Sequence, residues 1–124
     1  MSPRSEEFFD TARQRLNGAE NSLRAGDLEL AISAAYYAML YAARAALSEE
    51  DENARTHRGT WKLFRERYVV TDAFDDGLFR LAQNAQTARE QGDYEAVKQS
   101  REQAEQIVAG AGEFLAAVEA MLAG

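Results

Sequence analysis

The 124 residues contain a single histidine, His57, four positions ahead of the single tryptophan, Trp61. Histidine is the side chain best suited to move a proton near pH 7, and it also donates to phosphate. On this reading His57 is a general base or a phosphate contact. The alternative is a half-buried histidine that packs or caps a helix. That alternative has the greater weight on spacing alone, because catalysis needs a second positioned group. Arg44 stands alone as a charge inside the run Leu30 to Leu47. Either it points into a polar cleft, or it reaches toward water near a helix end, where a cation suits the dipole. The segment Arg89-Glu90-Gln91-Gly92-Asp93-Tyr94 offers a third arrangement. Arg89 and Tyr94 can hold a phosphate between guanidinium and hydroxyl, with Asp93 orienting Arg89 through a salt bridge. The same residues also make an ordinary helix turn, with Asp93 as cap and Tyr94 as apolar anchor.

Other chemistry is missing from the pattern. HExxH, Glu-x-x-His pairs, a P-loop and GxGxxG are all absent, so neither a metal nor a cofactor is expected. Glu49, Glu50, Asp51 and Glu52 form a solvated charge run rather than a site. The absence of cysteine suits a reducing cytoplasm, and the acidic start MSPRSEEFFD lacks the apolar run of a signal peptide.

The net charge of −7 argues against indiscriminate binding to nucleic acid. Charge is unevenly placed, however. Between Ala54 and Arg67, five basic residues (Arg55, Arg58, Lys62, Arg65 and Arg67) face one acid, Glu66. A local basic segment in an acidic chain is more informative than the total.

These residues must be positioned by helices, since no run of β-branched residues alternates with period two. The first helix is predicted over about Ser5 to Arg24, with Ser5 as N-cap and Phe8, Phe9, Ala12, Leu16, Ala19 and Leu23 as its apolar stripe. Gly26 ends it and Asp27 caps the second, Leu28 to Ser48. The Leu30 to Leu47 run marks the second helix as central to the core. Its alanine-rich composition, three tyrosines and Arg44 argue against a membrane span. One face carries Ile32, Tyr36, Met39, Ala43 and Leu47. Another carries Tyr37, Tyr41 and Arg44, turned toward a dimer seam or cleft. A third helix, Thr56 to Arg67, points Trp61, Phe64 and Tyr68 inward and Arg58, Lys62 and Arg65 outward. A fourth is predicted from Phe74 to Gln91, with Gly92 stopping it and Asp93 capping a fifth. That last helix carries Val97, Arg101, Ala104, Val108, Ala111, Leu115, Val118 and Leu122 in a near-heptad stripe, and Gly110 or Gly112 permits close helix approach. The expected fold is all-α, a single domain forming an antiparallel up-and-down bundle of about five helices.

Three motifs occur together in one known family. Ala35-Tyr36-Tyr37-Ala38 in the central helix, Thr56-His57-Arg58-Gly59 opening the third, and Arg89-x-x-x-Asp93-Tyr94 between the last two long helices resemble the HEPN domain proteins, in the small stand-alone bacterial and archaeal branch. The resemblance covers about Asp10 to Met121. It implies a five-helix bundle, usually a homodimer, often paired as toxin with an MNT-type nucleotidyltransferase as antitoxin. Catalytic members of that family are metal-independent ribonucleases. Their signature is an arginine followed four to six residues later by a histidine, and two copies meet across the dimer cleft. Their histidine helps activate the ribose 2′-hydroxyl, and their arginine stabilises the phosphorane.

This chain departs from the signature. No residue from Glu49 to Asn53 is arginine, and Arg89-x4-Tyr94 has tyrosine where the family has histidine. Tyrosine, with a reference pKa near 10, is a poor base at neutral pH but a good phosphate donor.

The resemblance thus implies a toxin or regulatory half of such a pair, acting on or binding RNA or nucleotides in a dimer cleft. Arg89, Tyr94 and His57 are its candidate catalytic residues. Arg89, Asp93, Tyr94, Arg44 and Tyr37 are its candidate ligand contacts. The alternative is a non-catalytic nucleotide- or substrate-binding subunit, or a helical interaction module.

Overall fold

A computed structural model describes the chain except residues 95–98; for Asp93 and Tyr94 it describes the backbone alone. Five α-helices are present: α1 Pro3–Arg24, α2 Leu28–Glu49, α3 His57–Phe64, α4 Asp76–Tyr94 and α5 Arg101–Ala123. A π-helical turn, Arg65–Val69, follows α3 directly. No strand occurs among the described residues.

The long helices run up and down. Ser5 near the start of α1 meets Ala45 and Glu49 near the end of α2. Arg89 near the end of α4 meets Tyr36 and Tyr37, and Gly110 of α5 sits against Leu81 of α4. Helix α2 packs against all four other helices. Its sequence explains why: Ala31, Ala35, Ala38, Ala42, Ala43, Ala45 and Ala46 are all fully buried, and their small side chains let neighbouring backbones approach from several sides. Both α2 and α5 are long and apolar enough to cross a membrane by length and composition, yet two-thirds of the apolar stretch of α2 is buried within the bundle (67%).

One stripe of α2 is left partly open. Ser33, Tyr37, Tyr41 and Arg44 are all half-buried, at the i, i+4, i+8 and i+11 positions of one face. The run from Leu30 to Leu47, with its one charge, is therefore core on most sides, with a polar seam on the face expected from Tyr37, Tyr41 and Arg44.

Several boundaries differ from those predicted. Ser2, not Ser5, caps α1, accepting from Ser5 N–H, and Pro3 occupies the first turn, where its missing N–H costs nothing. Ser5 is fully buried instead. Its Oγ lies 2.9 Å from the Ala45 carbonyl and 2.7 Å from Glu49 Oε2. Hydrogen bonds from the Ser2 N–H, then from the Ser5 and Ser2 hydroxyls, hold the Glu49 carboxyl below its usual range. Phe74 lies before α4 rather than at its start, and Asp75 accepts from Leu78 N–H at the helix entry.

Gly92 does not stop α4, and Asp93 does not cap α5. Helix α4 runs on to Tyr94, and Gln99 Nε2 donates to the Ala88 carbonyl on its side. The cap of α5 is Ser100, which accepts from Gln103 N–H. Arg89 and Tyr94 thus belong to one helix rather than to two. Arg101, predicted in the apolar stripe, is exposed and paired with Glu105 at 3.0 Å. Val97 lies outside the described residues.

The two glycines of α5 have opposite roles. A Cβ at Gly110 would stand 2.5 Å from Leu81 Cδ1 and 3.1 Å from Leu81 Cγ, whereas one at Gly112 would meet nothing within 4 Å. Gly110→Ala is expected to destabilise the fold by about 1–3 kcal/mol through overpacking. Gly112→Ala is expected to stabilise it by about 0.5–1 kcal/mol, by raising helix propensity. Urea unfolding of both variants checks the sign of each.

Candidate functional site

The opening of α3 sets His57 against α2. Thr56 caps α3 by accepting from Gly59 N–H at 2.8 Å, which places His57 as the first helical residue. Four residues on, Trp61 is buried at 3% exposure. Both converge on Tyr36. Trp61 Nε1 donates to Tyr36 Oη at 3.0 Å, and His57 Nδ1 lies 3.3 Å from the same oxygen.

The hydrogen-bond inventory assigns the protons. Indole N–H only donates, so Tyr36 Oη accepts from it and retains its own proton. Tyr36 is fully buried, so that proton needs an acceptor, and His57 Nδ1 is within reach. His57 in its neutral form then carries its proton on Nε2. Burial, together with the positive charges of Arg44 and Arg89 and against the negative charge of Glu90, pushes the His57 pKa below its ordinary value of 6.5. Burial also raises the Tyr36 pKa, opposed by the Trp61 hydrogen bond and by Arg89. Near neutral pH both groups are uncharged, and His57 offers an Nε2–H donor.

Arg89 closes the cluster from α4. Its guanidinium carbon lies 5.4 Å from the centre of the Tyr36 ring and 5.3 Å from that of Tyr37, a double cation–π contact. Tyr37 meets Tyr36 edge-on at 5.4 Å and His57 at 5.6 Å. Arg89 also lines a cavity of about 320 Å³ with Asp27, Glu29, Leu30 and Ser33. The two acids make one end of that cavity unwelcoming to a polyanion. Ser33, the first residue of the half-buried stripe of α2, is among the cavity's lining residues.

The structure therefore brings together His57, Tyr37 and Arg89 from three separate helices. It does not bring Arg44 into the same contact. Arg44 lies two turns further along α2, its guanidinium carbon 5.6 Å from the centre of the Tyr41 ring, though its charge is felt at His57. It is half-buried and not in the last turn of α2, so it does not act at the helix end. The side chains of Asp93 and Tyr94, both proposed as contacts, lie outside the described residues.

Sequence reasoning assigned Tyr36 and Trp61 to the core and missed that they hold His57 in place. The i, i+4 spacing of His57 and Trp61 was the available signal. Among the described residues no group of three or more histidine or acidic side chains is placed to hold a metal.

Lowering the pH is expected to destabilise the fold through His57. With the folded pKa below the unfolded one, its contribution is fully present above about pH 6.5 and declines as pH falls below it. The Glu49 contribution, by the same linkage, is lost only as pH falls below its ordinary value of 4.5, so a comparison held above that pH reads His57 and not Glu49. The thermal midpoint between roughly pH 8 and pH 5.5 should fall more for the wild type than for His57→Gln.

Comparison with known proteins agrees with this architecture. The HEPN domain profile matches residues 5–121. A Methanocaldococcus jannaschii protein, whose name calls it a candidate toxin, is 29% identical over 104 residues, covering 83% of this chain and 71% of that protein. A UPF0332 protein of Gloeobacter violaceus is 27% identical over 117 residues, 93% of each chain. A UPF0332 protein of Archaeoglobus fulgidus is 34% identical over 88 residues, 71% of this chain and 70% of that one. With the bundle, the Tyr36-Tyr37 pair, the Thr56-His57 helix opening and a profile match running almost end to end, the chain belongs to the HEPN domain family.

Proposed function

We propose that this chain is a toxin-like protein that acts on RNA, as a homodimer in the cytoplasm, paired with an MNT-type nucleotidyltransferase. The carrying observation is the meeting of His57, Tyr37 and Arg89 at one point of the bundle, beside an open polar stripe of α2. A phosphodiester laid there meets a guanidinium, which stabilises negative charge as it grows on a phosphorane. It also meets an imidazole N–H and a phenol. The relative named as a candidate toxin supports the toxin-like part of this reading.

Proton abstraction from a ribose 2′-hydroxyl asks more of His57. It requires the other tautomer, with Nδ1–H turned onto Tyr36 and the Nε2 lone pair exposed. The tautomer that satisfies buried Tyr36 is a donor instead. This observation favours a second reading, in which the same cluster binds the phosphodiester without cleaving it and the chain serves as a substrate-binding subunit.

The test is cleavage of a mixed-sequence RNA by purified protein in chelator, between roughly pH 5 and pH 9. Cleavage by wild type that disappears in Arg89→Ala supports the ribonuclease. No cleavage at any pH removes it, and saturable RNA binding lost in Arg89→Ala then supports the binding subunit. Sedimentation velocity at micromolar concentration tests the dimer; a monomer there overturns that part.

A further inference from the structure

A second cavity, of about 290 Å³, opens where the start of α1, the end of α2 and the loop before α3 meet. Arg4, Arg44 and Arg55 line it, one from each of those segments, with Asn53 beside them and Phe8, Leu47 and Ala54 as an apolar wall. Three guanidinium groups around one small cavity repel one another, and a chain of net charge −7 carries ample acids to neutralise them.

Three acids of these segments are engaged elsewhere. Glu49 takes hydrogen bonds from Ser2 and Ser5, Glu52 pairs with Arg67, and Asp10 pairs with Arg13. Among the described residues no carboxylate stands within ion-pair distance of Arg4, Arg44 or Arg55. Aromatic rings hold two of the arginines instead. The Arg4 guanidinium carbon lies 6.0 Å from the Phe8 ring centre, Arg44 lies over Tyr41, and the Phe8 and Tyr41 rings stack at 6.3 Å. Ring faces orient a guanidinium without consuming its N–H donors. The result is a concentration of positive charge kept unneutralised in an acidic protein.

We propose that this pocket binds the phosphate monoester of a nucleotide, free or at the 5′ end of an RNA strand. A monoester carries close to two negative charges near pH 7 and presents three acceptor oxygens, which three forked guanidinium groups match better than an internal diester with one charge. The cavity is larger than a phosphate needs and lies near the lower end of small-ligand pockets. Phe8, Leu47 and Ala54 suit the ribose and base, and the Asn53 amide supplies both a donor and an acceptor for a base edge. The pocket stands apart from the Arg89 cluster. Arg44 is seven residues beyond Tyr37, about 10 Å along the helix. Its assignment does not require that RNA be cleaved.

Calorimetric titration tests it with four probes: uridine 5′-monophosphate, inorganic phosphate, and two otherwise identical RNA hexamers bearing a 5′-phosphate or a 5′-hydroxyl. Saturable binding of the mononucleotide, tighter than that of phosphate, identifies a free nucleotide as ligand. Tighter binding of the 5′-phosphorylated hexamer than of the 5′-hydroxyl one identifies an RNA end. Either supports the proposal if affinity falls at least about tenfold in Arg55→Gln, further in Arg44→Gln/Arg55→Gln, and stays unchanged in Arg80→Gln, an exposed charge on α4. Arg55 is an exposed loop residue, so its variant should keep the wild-type thermal midpoint. The proposal is overturned if neither mononucleotide nor phosphorylated hexamer binds, if the mononucleotide binds no tighter than phosphate and the two hexamers bind equally, or if Arg55→Gln and the double variant bind as wild type does.

Discussion

Arg89→Ala is expected to reduce RNA cleavage by about 10²–10³-fold, the loss seen when one charge-stabilising donor is removed from a reaction centre. The expectation follows from what the residue touches. Its guanidinium lies against the faces of Tyr36 and Tyr37, and both rings contact His57. Removing it takes away the positive charge beside the tyrosine pair, the charge that the proposed reaction sets against a phosphodiester. It also takes away one of the two cations that depress the His57 pKa. The titration of His57 should therefore move upward, toward its ordinary value, in Arg89→Ala. Following the His57 ring protons by NMR across pH checks this directly. A lost cleavage signal with an unmoved His57 titration would show that Arg89 acts away from the histidine and would sink the shared-site reading. Arg89→Lys keeps the charge but not the planar fork or its stacking on two rings, so it should recover the His57 pKa more fully than the activity.

Phe64→Ala carries the largest expected effect on stability, about 3–5 kcal/mol. Phe64 is fully buried where α3 passes into the π-helical turn. Its ring lies 6.1 Å from Trp61, 5.2 Å from Tyr68, 5.0 Å from Phe74 and 5.7 Å from Phe114. These rings come from α3, the turn, the segment before α4, and α5, so truncation opens a cavity shared by four parts of the chain. Two of these contacts are edge-to-face, that with Tyr68 is tilted and that with Phe114 is stacked, so the hole is walled by rings held in differing orientations, which limits its collapse. Set against a total stability of about 5–15 kcal/mol, the loss is a large fraction of the whole. The thermal midpoint should fall by on the order of 15 °C. Val70, 63% exposed a few residues on, provides the contrast: Val70→Ala should change stability by less than about 0.5 kcal/mol. Equal losses in the two variants would show that the ring cluster does not hold the turn to the bundle.

How much of this was legible in the sequence depends on the range of the interaction. Helix α2 was readable as the central element because a run with one charge has to be covered, and its alanines are indeed buried on most sides. The inward set Trp61, Phe64 and Tyr68 was readable from i, i+3 and i+7 spacing. The Asp27 cap was readable because a cap acts on its own next turn. Gly92 misled, because a glycine weakens a helix without ending it. Ser5 misled because its partner, Ala45, is forty residues away.

The site divides along the same line. The sequence by itself determined which residues are capable of chemistry: one histidine, two arginines in unusual settings, and a tyrosine pair on the central helix. It also determined that they sit on helices, because helical periodicity is a local property of the chain. Only the tertiary structure decided that His57 meets Tyr36 and Tyr37, with Arg89 lying against both rings, and that Arg44 joins Arg4 and Arg55 around a different cavity. Those groupings arise where α1, α2, α3 and α4 cross. Side-chain contacts across helices depend on packing angle and rotation, which no spacing along one chain encodes.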